Sequence, residues 1–440
     1  MKINIIYSFA FSLGILFLIN ACSKKDTIDI KTPDCAINLA PANGGIVNTT
    51  NVLLNWSKVN GATSYDIYLG SSASTATLIA ANIQNNSYLH ALPSSVNANY
   101  FWFVVPKING SAGKGCTSTA TNFKYMVPPA PIGFIVAGYF PSYKTVAEYP
   151  DRMFRMCNVV NYAFAEINNT STIFMAVPVR FDSVYKKARA NGAKVFLSIN
   201  ASQANFTMLA DAGRRNILIR SIMQTARVQN LDGIDMDYEY PKTTDGTDIV
   251  FSQLMKELAD SLHFNGKYLS AAITPGKYAG AIRDGIRNEL FEFVDFFNVM
   301  VYDDFSNSTP FKHHSDMNLV NASINYWLNL RGMPKQKFVL GIPIYGRNSG
   351  SPQISTSYKT ILARGSQLGP SSIALSDSAL LTHSDGSTFT TYYTGQTSVQ
   401  LKALKAKNET GGMMFWEMGH DANDDNSIIK AACDAIGKAY

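Results

Sequence analysis

The chain has 440 residues, too many for one ordinary domain and enough for two, one of which has room to be a barrel of roughly 250 residues. Hydrophobic residues make up 46% and charged residues 16%, which excludes a disordered chain, and a 12% aromatic share leaves rings free to stack on sugars. The formal charge of +6 is mild and gathers into nothing longer than short pairs such as Lys186-Lys187, so nucleic acid is excluded as a partner.

Residues 1–21 read as a signal peptide: Lys2 gives a positive start, and the apolar run from Ile3 to Ile19 is too short and wrongly flanked for a stable span. The segment Leu18-Ile19-Asn20-Ala21-Cys22 resembles a bacterial lipobox. That resemblance implies that Cys22 is acylated and becomes the new N-terminus, anchoring the protein to a membrane. Ser23 after the cysteine implies the outer membrane or cell surface of a Gram-negative bacterium. A plain secretory signal with an incidental cysteine, and so a secreted protein, is the alternative. Residues 22–34 are polar and read as a tether.

Over 35–127 the pattern becomes short alternating runs broken by Asn, Gly and Ser, such as Val52-Leu53-Leu54-Asn55-Trp56 and Tyr100-Phe101-Trp102-Phe103-Val104-Val105. This predicts a β-sandwich, and the segment is similar to fibronectin type III modules, with Trp56 where they keep a core tryptophan. Trp56 and Trp102 sit inside strand-like runs, which favours packing over sugar binding. Cys35 and Cys116 bracket the domain and are disulfide candidates in an exported chain. Residues 128–133 open with Pro128-Pro129-Ala130-Pro131, a stiff extended linker.

From 134 to 440 strand-like and helix-like segments alternate. Strands are expected at 134–140, 158–166, 194–199, 231–237, 268–274, 296–302, 338–344 and 412–416, with helical periodicity at 214–229, 249–262, 398–407 and 427–439. Eight such units in order predict a TIM (β/α)8 barrel, whose active site lies at the C-terminal strand ends. Cys157 and Cys433 fall where the first and last units meet. They are read either as a disulfide or, preferably, as buried free thiols.

One strand ends in acid: Leu231-Asp232-Gly233-Ile234-Asp235-Met236-Asp237-Tyr238-Glu239. Alternate side chains of a strand share a face, so Asp235, Asp237 and Glu239 are expected to project together, about 7 Å apart in steps of two. Stability alone would place Val or Ile there, because like charges at that spacing resist joint ionisation. The pattern points to Glu239 as a carboxyl kept protonated as a general acid, with Asp237 and Asp235 sharing charge beneath it. Asp232 has the opposite parity and reads as structural.

The spelling Asp-Gly-Ile-Asp-Met-Asp-Tyr-Glu resembles the Asp-x-x-Asp-x-Asp-x-Glu signature of glycoside hydrolase family 18, the chitinases and their relatives. Met300-Val301-Tyr302-Asp303, Gly341-Ile342-Pro343-Ile344-Tyr345-Gly346-Arg347 and Gly411-Gly412-Met413-Met414-Phe415-Trp416-Glu417 are similar to later segments of that family, in the same order. The resemblance implies a retaining, substrate-assisted hydrolase acting on β-1,4 bonds between N-acetylglucosamine units of chitin or chito-oligosaccharides. It gives Glu239, Asp237, Asp235 and Tyr302 catalytic roles and sets Trp416 under the sugar. Asp303, Tyr139, Phe164, Tyr238 and Tyr345 are candidates for lining subsites. No metal or other cofactor is implied, and the protein is expected to act as a monomer on its glycan.

An endo-β-N-acetylglucosaminidase of N-glycan cores and a non-catalytic chitin-binding protein are the competing functions. The third strand departs from the family, reading Ser198-Ile199-Asn200-Ala201 where Ser-x-Gly-Gly is usual, and contacts there are open. Between Tyr345 and Ser398 only Phe389-Thr390-Thr391-Tyr392-Tyr393 looks like a strand, so a reduced insertion and a shallower cleft are expected.

Overall fold

The computed structural model describes residues 33–93, 96–112, 116–306, 311–351, 353–365 and 369–440. The signal segment, Cys22 and most of the tether lie outside the described residues. Among those described, no helix is long and apolar enough to cross a membrane. The chain divides into two compact units, the second of which takes in Lys124–Tyr440.

The N-terminal region, most of which lies in the first unit, is β apart from one 3-10 turn at Thr117–Thr119. One sheet orders Gly45–Val47, Thr121–Tyr125, Ala98–Ile108, Ser64–Gly70 and Thr77–Ile83, and a three-stranded sheet orders Asn38–Ala40, Asn51–Trp56 and Ser87–Ala91. In Asn51–Trp56 the buried residues are Val52, Leu54 and Trp56, alternating with outward ones as a half-buried strand requires. The two sheets meet where the Trp56 ring packs edge-on against Tyr65, their centroids 5.4 Å apart. Trp56 and Trp102 are both buried. Cys35 and Cys116 are disulfide-bonded across 81 residues, a closure worth about 2 to 4 kcal/mol against the unfolded chain.

The second unit is a closed barrel of eight parallel strands: β1 (Ile135–Pro141), β2 (Val159–Ile167), β3 (Lys194–Ala201), β4 (Gly233–Met236), β5 (Tyr268–Ile273), β6 (Phe296–Val299), β7 (Phe338–Pro343) and β8 (Gly412–Trp416). The strands run in sequence around the barrel, and β1 pairs with both β2 and β8 to close it. A short antiparallel strand, Ile173–Met175, adds to β2. Helices Ala212–Val228, Thr247–Phe264, Gln396–Glu409 and Ile428–Ile436 match the four segments read as helical. The strands are mostly apolar on both faces because helices cover the outside and side chains fill the inside, with Ser198, Asp235, Ser270 and Asn298 among the buried polar exceptions.

Alternation along the strands sorts these residues. Val136, Phe140, Val160, Leu197, Ile199, Ile234, Met236, Leu269, Phe297 and Leu340 join the outer core beneath the helices. Ala137, Tyr139, Ala163, Phe196, Ala272, Val339 and Met414 form the inner one. Gly341 shows how tight the interior is: a Cβ there would stand 2.3 Å from the Val299 carbonyl oxygen and 3.1 Å from the Tyr302 ring.

Several strands end earlier than their hydrophobic runs. β4 stops at Met236 and β6 at Val299, so Asp237 and Tyr302 lie in irregular backbone beyond the strands. The segment after β7 is also fuller than expected. It folds into a four-stranded antiparallel sheet in the order Ser355–Ser357, Tyr345–Asn348, Thr388–Tyr392, Ser378–Thr382, with helices Tyr358–Arg364 and Pro370–Leu375. Its strands are three to five residues long and, apart from Tyr345–Asn348, rich in Ser and Thr, which is why hydrophobic periodicity showed only one of them. Cys157 and Cys433 are free and buried, with Cys433 Sγ 3.7 Å from the Met156 carbonyl oxygen.

Candidate active site

The strand register sets Ser198, Asp235 and Ser270 side by side on neighbouring strands, all pointing inward. Asp235 is fully buried there. Its Oδ1 accepts from Ser270 Oγ at 2.6 Å and Asn298 Nδ2 at 3.1 Å, and its Oδ2 accepts from the Tyr139 and Ser198 hydroxyls, both at 2.7 Å. Burial raises its pKa, and the four donors offset part of that rise by favouring the charged form.

Asp237 stands one step above. It is buried, its backbone N–H donates to the Ile199 carbonyl at 2.8 Å, and its Oδ1 has no partner. Burial, then the charges of Glu239 and Asp235, hold its pKa well above the usual carboxylate range. Glu239 opens to the cleft. Burial of its surroundings and then Asp303 raise its pKa, with the Tyr240 hydroxyl opposing. Carboxyls that compete for ionisation in this way hold a proton more tightly than isolated ones do, which suits one of them to donate it.

Asp237 and Glu239 line a cavity of about 140 Å³ with Tyr139, Tyr240, Ala272, Pro275, Met300, Tyr302, Asp303, Tyr345, Met414 and Trp416. Burial, then Tyr345 and Asp237, push the Tyr302 pKa far up, so its phenol stays a hydrogen-bond donor. Trp416 is half-buried, with Tyr139 edge-on at 5.3 Å and Phe164 stacked on it at 5.8 Å between centroids. Phe164 thus reaches the site through Trp416.

Asp303 is held in the left-handed region at φ +66°, a conformation that needs support in a residue with a Cβ. The support comes from the inserted sheet. Tyr345 Oη donates to Asp303 at 2.6 Å, and Arg347 closes on it in a fork at 2.8 and 2.5 Å. Its backbone N–H donates to Nδ1 of buried His314, whose Nε2 donates to the Tyr345 carbonyl. Burial opposes the Asp303 charge, but the bonds from Arg347 and Tyr345, with the His314 ring beside them, outweigh it and drive the pKa far down. Asp303 is therefore a fixed anion at the cavity edge.

The carboxylates, Tyr302, Asp303, Tyr139, Tyr345 and Trp416 thus come together as one site. Tyr238 does not. Its odd parity against Asp237 and Glu239 turns it outward, where its ring stacks on Phe206 at 3.6 Å and its hydroxyl donates to Gln203 at 2.7 Å. Asp232 also faces out, accepting from the Val195 N–H and pairing with Arg189. Among the described residues no cluster of His, Cys, Asp and Glu is fit to hold a metal. Ser270, Asn298 and His314 were not singled out by the sequence, and Tyr240, Ser198 and Arg347 stood in family-like segments without a site role. Beyond those segments, only the parity of Ser198, Ser270 and Asn298 on their strands carried a signal.

The model of the glycosyl hydrolases family 18 matches residues 135–421. Probable chitinase 10 of Drosophila melanogaster is 30% identical over 184 residues, covering 36% of this chain and 8% of that protein. The first curated relatives are matched over no more than 48% of their own length. Among solved structures, the GH18 chitinase ChiB of Flavobacterium johnsoniae shares the fold at a TM-score of 0.58 and 23% identity, covering 69% of this chain and 94% of that one. The GH18 chitinase of Cycas revoluta, solved in complex with (GlcNAc)3, does so at 0.57 and 24%, covering 69% and 100%. With the family model spanning all eight barrel strands, this chain belongs to family 18 of the glycosyl hydrolases.

Proposed function

We propose that the protein is a chitinase that cleaves β-1,4 bonds between N-acetylglucosamine units with retention of configuration, using the substrate's own acetamide as nucleophile. The observation that carries this is the unpartnered Oδ1 of buried Asp237, in a cavity lined by aromatic rings beside Glu239. A buried acceptor without a donor is costly in the free protein, and an acetamide N–H of a bound sugar is a donor of the right kind.

The steps are those that the family resemblance implies, with this chain's residues in each role. The acetamide oxygen attacks the anomeric carbon, the bond to the leaving oxygen breaks, and Glu239 gives that oxygen its proton. Asp237 accepts from the acetamide N–H and balances the positive oxazolinium ring, while Asp235 beneath it tunes its proton. Tyr302 donates to the acetamide oxygen, and Trp416 forms the floor under the sugar. Water then attacks the same carbon, the bond from that carbon to the acetamide oxygen breaks to restore the acetamide, the water's proton passes to the Glu239 carboxylate, and two inversions leave the configuration retained. That the Cycas revoluta chitinase was solved with (GlcNAc)3 supports this class of ligand.

We further infer that the first unit is a fibronectin type III-like module and that a lipid on Cys22 holds the monomeric enzyme at the outer membrane. The test of the activity is an anomer-resolved product profile on N-acetylglucosamine oligomers with wild type and Glu239→Gln. Wild type gives β-anomer products, and the variant keeps oligomer affinity while losing about 10² to 10⁴ in turnover. Release of glycan from a glycoprotein without oligomer cleavage, or unchanged turnover in the variant, refutes the proposal.

A further inference from the structure

We propose that the loop after β5 is a second sugar platform, centred on Tyr278, that takes the N-acetylglucosamine unit on the leaving side of the broken bond. The inference rests on the hydrolase assignment above, since it takes Glu239 as the group that protonates the leaving oxygen.

A second cavity, of about 470 Å³, adjoins the catalytic one, and Pro275 lines both. Its lining includes Tyr278, Ala279 and Ile282, together with Lys242 and Lys277. Tyr278 is 63% exposed, a large ring left in water at the mouth of a barrel. Yet it is held in place. Its hydroxyl donates to Asp304 Oδ1 at 2.8 Å, and the Lys277 ammonium lies 5.0 Å from the ring centroid while bonding Asp304 Oδ2 at 2.5 Å. Burial works against the Asp304 charge, but bonds from Lys277, Lys312 and Tyr278 prevail and lower its pKa, so the anchor stays ionised. Asp304 directly follows Asp303, which lines the catalytic cavity. The ring is therefore tied to the same backbone that frames the catalytic site. A ring already fixed in a binding pose loses little entropy when a sugar's C–H face stacks on it.

The barrel order gives the direction. Trp416 on β8 and Tyr139 on β1 are neighbours on one side, whereas Glu239 and Pro275 follow β4 and β5 on the other. A sugar resting on Trp416 therefore presents its scissile bond toward Glu239. The next unit passes over Pro275 to Tyr278. Ile282 and Ala279 extend an apolar surface around the ring, as the less polar face of a pyranose requires.

The experiment compares kcat/KM on an N-acetylglucosamine hexamer with kcat/KM on a nitrophenyl glycoside of the disaccharide, whose leaving group carries no sugar. It uses the wild type, Tyr278→Ala and Tyr278→Phe, each checked for folding by thermal melting. The hexamer-to-glycoside ratio is expected to fall roughly tenfold in the alanine variant, since tenfold corresponds to about 1.4 kcal/mol of lost stacking. Hexamer cleavage should shift to bonds that leave fewer units on the Glu239 side. Tyr278→Phe keeps the ring and should hold the ratio within about threefold. An unchanged ratio and product pattern in Tyr278→Ala, with active wild type, overturns the platform alone. Wild type inactive on both substrates overturns the hydrolase assignment and the platform with it.

Discussion

Replacing Asp235 by Asn tests whether the buried carboxylate under the site is charged and what its charge does. All four of its acceptor positions are met by donors: Ser270, Asn298, Tyr139 and Ser198. An amide offers one acceptor oxygen and two donor hydrogens. Its best orientation keeps the oxygen toward Ser270 and the Asn298 amide, because Asn298 Nδ2 cannot accept. The new NH2 then faces the Tyr139 and Ser198 hydroxyls, whose own hydrogens lose their acceptor. Each orphaned buried donor costs about 1 to 3 kcal/mol. Relief of the buried charge offsets part, leaving a net loss of about 2 kcal/mol. At roughly 2 to 4 °C per kcal/mol, the melting temperature should drop by about 4 to 8 °C.

The same change removes one of the two charges that raise the pKa of Asp237. Asp237 should then ionise at lower pH, and the acid limb of the pH–rate profile on an N-acetylglucosamine oligomer should move down. Differential scanning calorimetry and the pH dependence of kcat/KM read the two effects on one preparation. An unchanged melting temperature together with an unshifted acid limb would refute the account, because it would mean that Asp235 is neutral and uncoupled to Asp237.

Glu417 gives a pH prediction for stability. It is fully buried, with Oε2 accepting from the Tyr143 hydroxyl and Oε1 3.2 Å from His420 Nε2, and burial pushes its pKa up to about 7. The unfolded chain ionises it near 4.5, so between about pH 4.5 and 7 unfolding releases a proton and stability falls as pH rises. Glu417→Gln removes that loss, on the order of 3 kcal/mol when complete. The variant's melting temperature should therefore gain on wild type from pH 4.5 to 8, and a gap independent of pH sinks the assignment. For location, wild type should partition into detergent and Cys22→Ser into the aqueous phase, since buried acyl methylenes each hold about 0.8 kcal/mol. Aqueous partitioning of wild type would mean that Cys22 carries no lipid.

The residues themselves determined the barrel and where its chemistry sits. Eight apolar runs separated by helical periodicity leave few alternatives to a closed parallel sheet. The period of two also placed Asp235, Asp237 and Glu239 on a common side, because strand parity is a local property that needs no partner strand. The same rule, applied to Tyr238, would have turned it outward to Phe206, where the structure has it.

Tertiary structure alone decided what each acid touches. The four donors on Asp235 come from β1, β3, β5 and β6, up to 96 positions away, and only the register of neighbouring strands makes them meet. Asp303 owes its fixed charge to Arg347 and Tyr345 on an inserted sheet and its backbone pose to His314 from a loop between them. Nothing in their spacing marks these residues, since hydrogen-bond partners across a fold follow from closure of the chain rather than from periodicity along it.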